Sequence, residues 1–216
     1  MKHKISIDTG LYLVLDPSMP SDILINKLKE ALDGGVNLLQ IWNNWPSNFS
    51  SADKIELINA LTNIASKRDV PVLVNDEWEL MRDTALSGVH FDHIPNQFES
   101  IRTAVKRDFI TGITCSNDLT HVKWAEQHQL DYVSFCAIFP SKSAGECEIV
   151  TPETIMKARK ITNIPFFISG GITANNLLKL KNLDFTGVAV ISGILNADSP
   201  KEAALSYLQS IKELKK

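Results

Sequence analysis

A single (β/α)8 barrel of the TIM type is the fold class this sequence predicts, on three observations. Short apolar runs alternate about eight times with longer segments of helical period. The runs are apolar throughout rather than alternately polar, as strands covered on both faces are. Nearly every run ends on a polar or glycine residue, and the C-terminal ends of the strands are where such a barrel carries its chemistry. An open, doubly wound sheet of similar size usually has a glycine-rich turn after its first strand. Asp16-Pro17-Ser18-Met19-Pro20 stands there instead.

The predicted strands are residues 11–15, 38–41, 72–74, 88–91, 109–114, 132–136, 166–169 and 187–191. The segment 23–32 brings Ile23, Leu24, Leu28 and Leu32 close to one stripe, with Ser21-Asp22 as the candidate N-cap. Residues 55–65 do the same with Ile55, Leu57, Ile58, Leu61 and Ile64. Further helices are expected over 77–86, 97–106, 119–128, 152–159, 174–180 and 201–214. The strand ends then present Asp16, Gln40, Asn75-Asp76, Asp92-His93, Thr114-Cys115, Ile138 to Ser141, Gly170-Gly171 and Ser192-Gly193.

Composition fits one folded domain over residues 1–216, with 44% hydrophobic and 22% charged residues. A formal net charge of −3 gives no footprint for nucleic acid or an anionic membrane, and the only basic cluster is Lys215-Lys216. Cys115, Cys136 and Cys147 are odd in number and lack CxxC spacing, so a reducing cytoplasm is expected rather than a disulfide framework or a zinc site. Lys2, His3 and Lys4 lead only to a short apolar run closed by Asp16-Pro17, so no leader is expected. No apolar stretch approaches the roughly 18 residues of a bilayer span.

Ile168-Ser169-Gly170-Gly171-Ile172-Thr173 leaves a strand and enters a helix begun by Thr173. Glycines let the backbone approach a ligand, and free N–H groups at a helix start attract an anion. Val190-Ile191-Ser192-Gly193-Ile194 repeats the arrangement one strand later. Paired turns after strands seven and eight predict a phosphate site using Gly170, Gly171, Ile191 and Ser192.

Gly10-Leu11-Tyr12-Leu13-Val14, Gly34-Gly35-Val36, Gln40, Val74-Asn75-Asp76, Gly88-Val89-His90, Ile138-Phe139-Pro140, Gly170-Gly171-Ile172 and Val190-Ile191-Ser192 run in order over nearly the whole chain. Together they resemble the thiamine-phosphate synthases and their relatives the thiazole tautomerases. The resemblance implies a cytoplasmic transferase that joins hydroxymethylpyrimidine pyrophosphate to thiazole phosphate, with magnesium assisting departure of pyrophosphate. It implies catalytic roles for Gln40, Asn75, Thr114 and Lys142. Ser141, Ser143, Gly170, Gly171, Ile191 and Ser192 would bind substrate phosphate, and Asp76 and Asp92 would bind Mg2+. The partners implied are small-molecule phosphates, and a homodimer stays an open expectation.

Several positions depart from the family's pattern. Trp42 and Asn44 stand where the resemblance places an arginine and a lysine, Glu77 stands for an arginine, and Ala144 for a lysine. Lys142 and Arg82 are the candidates to replace these cations. The family's second metal aspartate falls on Pro95, for which Asp92 could substitute, and the tautomerases' histidine falls on Ser116. Loss of cations around a departing pyrophosphate predicts weak or diverged transfer. Two other readings stay open: a thiazole tautomerase-like isomerase, and a non-catalytic binder of thiamine precursors or thiamine phosphate. His90 reads as a satisfied core histidine and His93 as a residue at the barrel mouth. Trp42 and Trp45 could stack on a ring or pack beneath a loop. Cys115 and Cys136 read as inert thiols.

Overall fold

The computed structural model describes residues 10–141 and 148–214. Eight parallel strands close into a barrel in sequence order. They are β1 (Leu11–Leu15), β2 (Leu38–Ile41), β3 (Val72–Asn75), β4 (Gly88–Phe91), β5 (Ile110–Cys115), β6 (Tyr132–Phe135), β7 (Phe166–Ser169) and β8 (Gly187–Val190). Tyr12 pairs with Leu38 on one side, and Leu11 pairs with Val188 where β1 closes on β8. The expected strands differ from these by no more than one residue at either end.

Around them lie α1 (Ser21–Asp33), α2 (Ser51–Ser66), α3 (Phe98–Val105), α4 (Thr120–Gln127), α5 (Pro152–Arg159), α6 (Ser192–Leu195) and α7 (Pro200–Leu214). The start of α2 is a capping box: Ser50 Oγ accepts from the Asp53 amide, and Asp53 accepts from the Ser50 amide at 2.7 Å. The cap expected for α1 is corrected. Pro20 occupies that position with no side-chain cap, and Ser21 and Asp22 lie inside the first turn. Proline's fixed φ suits this boundary, and Asp22 faces the positive end of the helix dipole.

Two expected helices shrink to short 3-10 turns, Trp78–Arg82 for 77–86 and Leu177–Leu180 for 174–180. In the first, Arg107 donates to the carbonyls of Met81, Thr84 and Leu86 at 2.9, 3.1 and 2.9 Å. A guanidinium from the approach to β5 thus satisfies acceptors that a longer helix would have satisfied itself. In the second, Thr173 and Asn176 bond each other's backbone amides, and Asn176 Nδ2 donates to the Gly171 carbonyl at 2.9 Å. That local pairing competes with helix propagation. Conversely α6, one turn long, forms at the second small-residue turn.

Outward side chains of the strands pack beneath the helices, while Tyr12, Val14, Leu38, Leu73, Ile110, Tyr132, Phe167 and Ala189 fill the interior. The period of two along each strand makes this division. Tyr132 fits only because its neighbour in the interior is Gly112, where a Cβ would lie 2.1 Å from the tyrosine ring. Gly112→Ala is expected to destabilise the barrel by about 1–3 kcal/mol through overpacking. A lowered midpoint in urea unfolding, with unchanged slope, checks this; an unchanged midpoint would contradict it.

Candidate active site

A cavity of about 490 Å³ opens at the C-terminal ends of the strands. The inward alternation of the strands supplies its wall: Tyr12 and Val14 from β1, Gln40 from β2, Asn75 from β3, His90 from β4, Thr114 from β5, Ser134 from β6 and Ser169 from β7. The loops beyond add Trp42, Asp92, His93, Cys136 and Ser141, and the turns after β7 and β8 add Gly170, Gly171, Ile191, Ser192 and Gly193. Of the expected site residues, Gln40, Asn75, Thr114, Asp92, Ser141, Gly170, Gly171, Ile191 and Ser192 therefore meet in one cavity. Lys142 and Ser143 lie outside the described residues.

Gly170 and Gly171 both have positive φ, +85° and +65°, a region that favours glycine. A Cβ on Gly171 would lie 2.6 Å from the Pro140 carbonyl oxygen and 2.8 Å from Phe139 Cβ. The turn after β7 is thus seated directly against the loop after β6. Across from it, Ser192 and Gly193 open the one-turn helix α6. Two backbone-rich turns facing one cavity are suited to the oxygens of a phosphate.

The opposite wall is a continuous polar chain through the barrel interior. The Tyr12 hydroxyl donates to Gln40 Oε1 and lies 3.1 Å from the Tyr132 hydroxyl. Tyr132 Oη is 2.8 Å from His90 Nδ1, and His90 Nε2 is 2.9 Å from Thr114 Oγ1. Thr114 Oγ1 reaches Asp92 Oδ1 at 3.2 Å. Both nitrogens of His90 are partnered, as a satisfied core histidine requires, yet the ring also lines the cavity. Its burial pushes its pKa down to about 4, against a smaller opposing pull from Asp92.

Asp76 does not line the cavity. It stands just behind Asp92, its Oδ1 accepting from the Asp92 amide at 2.9 Å and its Oδ2 from Asn75 Nδ2 at 3.2 Å. Burial raises its pKa, and the Asp92 charge adds to the rise. Two carboxylates that repel each other are a setting a cation would relieve. No group of three or more His, Cys, Asp or Glu that could hold a metal forms among the described residues. The pair nevertheless suits Mg2+, which takes one or two protein carboxylates and completes its shell with water and substrate phosphate.

The charge substitutions resolve differently from one another. Trp42 lines the cavity, whereas Trp45 packs against Phe49 outside it. Glu77, which stands where the resemblance places an arginine, pairs with Lys54 at 2.5 Å and accepts from Trp45 Nε1 at 2.8 Å, away from the cavity lining. Arg82 is exposed over the Trp78 ring and does not reach in. Among the described residues of the lining there is neither lysine nor arginine. Tyr12, Ser134 and Ser169 also line the cavity, without being marked by a strand-end motif. Alternate positions along β1, β6 and β7 point to them once the barrel is closed.

The unfolded chain takes up a proton on His90 near pH 6.5, whereas the folded protein refuses it until about pH 4. The stability this group contributes is therefore full above 6.5 and is lost as pH falls through that window. His90→Gln is expected to flatten the wild-type decline between pH 6.5 and 4, read as urea midpoints; parallel curves would contradict the assignment.

The model of the family described as thiamine monophosphate synthase matches residues 11–194. A thiamine-phosphate synthase of Clostridium tetani is 31% identical over 202 residues, covering 93% of this chain and 95% of that protein. One from Clostridium perfringens is 33% identical over 200 residues, covering 92% and 94%. Among solved structures, a thiamine phosphate pyrophosphorylase from Pyrococcus furiosus superposes with a TM-score of 0.80 at 21% identity, covering 95% of this chain and 96% of that one. That likeness supports the barrel alone. The family match spans all eight strands and all but the last helix, and the chain belongs to the thiamine monophosphate synthase family.

Proposed function

We propose that this protein is a transferase that joins hydroxymethylpyrimidine pyrophosphate to thiazole phosphate, releasing pyrophosphate. The observation that carries the reading is the shared cavity. The glycine turns after β7 and β8 face Gln40, Asn75, Thr114 and Asp92 across a space of about 490 Å³. Backbone amides of Gly170, Gly171, Ser192 and Gly193 would hold the thiazole phosphate, with Ser141 and the backbone at Ile191 closing the same end. Asn75 is anchored to the His90 carbonyl at 3.3 Å, which holds it beside the carboxylates. Asp92, backed by Asp76, would hold Mg2+, whose charge neutralises the departing pyrophosphate. Ser143 and Lys142, to which the resemblance gives phosphate and catalytic roles, lie outside the described residues.

Charge sets the expected rate. A pyrophosphate leaving group develops negative charge, and the described wall offers neutral Trp42 where the resemblance places an arginine. Each absent charged contact of this kind costs about a hundredfold or more. Slow turnover is therefore expected.

The test is formation of thiamine phosphate by purified protein with both substrates and magnesium. Product formation that falls about a hundredfold in Asp92→Ala supports the assignment. Gly171→Asp is expected to abolish thiazole-phosphate binding in titration calorimetry, because its side chain fills and charges the turn. No product with retained thiazole-phosphate affinity would leave a binder in place of the transferase, and unchanged affinity in Gly171→Asp would remove the phosphate assignment.

A further inference from the structure

Three tryptophans follow the ends of β2 and β3, and the fold uses them differently. Lys54 Nζ lies over the Trp45 ring, 5.0 Å from its centroid, and the Arg82 guanidinium lies over the Trp78 ring at 4.7 Å. Neither of those rings lines the cavity. Trp42 does line it, and among the described residues no cation lies over its ring.

The placement of Trp42 follows from its strand. Leu38, Gln40 and Trp42 are alternate positions; Leu38 fills the barrel interior and the other two line the cavity. The Trp42 amide donates to the Leu15 carbonyl at 2.9 Å, which carries the pairing of β1 with β2 one residue further. Its ring packs on the interior layer, as Ile191 does from the turn after β8. Since β1 is the neighbour of both β2 and β8, one strand separates Trp42 from that turn. Two strand spacings make about 10 Å, a span that a phosphate, a short chain and a five-membered ring can cover.

The charges around that span are one-sided. Asp92 is the one carboxylate of the described lining, and neither lysine nor arginine joins it. Asn44, the other position after β2 at which the resemblance places a cation, donates to Asp16 Oδ1 at 3.0 Å outside the lining. The face of an indole attracts a cation and offers an anion nothing. We infer that Trp42 is a specificity-determining residue: its indole receives the thiazole ring of the substrate and prefers that ring in a positively charged form. The inference rests on the transferase reading, in which the ring nitrogen gives its lone pair to the pyrimidine methylene carbon as that carbon's bond to the pyrophosphate oxygen breaks. The ring gains a positive charge while pyrophosphate carries the negative charge away. Trp42 thus exchanges a contact to the leaving group for one to the ring that becomes charged, and it holds the joined product more firmly than the neutral thiazole.

Two compounds of matched shape test this: thiazole phosphate and its N-methylated thiazolium counterpart, which adds a methyl group and a positive charge. In titration calorimetry the wild type is expected to bind the thiazolium about tenfold more tightly. Trp42→Leu is expected to remove that preference and to keep binding of the neutral compound, because the phosphate turns are untouched. Trp42→Phe, which keeps an aromatic face, is expected to retain part of it. No preference in the wild type overturns the inference. So does a full preference in Trp42→Leu, which would assign the selectivity to Asp92 instead. The coupling assay judges the transferase reading separately. A preference without product sinks that reading and leaves Trp42 selecting a cationic ring, product without preference does the reverse, and binding of neither compound overturns both.

Discussion

Closing eight short strands into a barrel leaves an interior that only inward-facing side chains can fill. In this protein that space is shared between packing and chemistry. The bulk of the filling comes from three aromatic rings in edge-to-face contact, Tyr12, Tyr132 and Phe167, with ring centroids 5.4–6.0 Å apart. Two of those rings carry hydroxyls, and a buried hydroxyl needs a partner. The partners are the next inward residues toward the mouth, Gln40 and His90. The packing layer and the cavity wall are thus joined by hydrogen bonds rather than merely stacked.

That junction accounts for several otherwise separate features. Gly112 is small because Tyr132 lies over it. His90 sits in an apolar strand because its two nitrogens are both satisfied within the barrel. Asp92 turns toward the cavity because the carboxylate of Asp76 anchors its backbone amide from behind. Asp76 itself adopts φ of +56°, a left-handed conformation aspartate tolerates better than most residues, and this turns the chain sharply at the end of β3. The polar half of the site is held by the core, not by the mobile ends of long side chains.

The half of the cavity proposed to take phosphate is held differently, by backbone. Gly170 and Gly171 press against Ala137, Phe139 and Pro140 of the neighbouring loop, so the two turns around the cavity support each other. Tyr207 on α7 donates to the Ile172 carbonyl at 2.9 Å and ties the turn to the last helix. An anion site made from amides would need no cation of its own, so substitution of charged residues elsewhere would leave it unaffected.

Much of this was legible in the sequence. Apolar runs fixed the strands because both faces of each strand are covered, and their polar terminations marked Gln40, Asn75, Thr114 and the two glycine turns as residues of one site. The short helices were misjudged because their carbonyls and amides are satisfied by Arg107 and by the Thr173–Asn176 pair, contacts that helical periodicity does not register. Glu77 stands in the sequence only as a departure from an arginine; the fold brings Lys54 to pair with its charge and Trp45 to donate to it. The chain of hydrogen bonds from Gln40 to Asp92 was likewise out of reach. Its members are scattered over five strands and the loop after β4, with up to 120 residues between partners. Local pattern can say which residues face inward, but which of them touch is set by the register of the closed sheet.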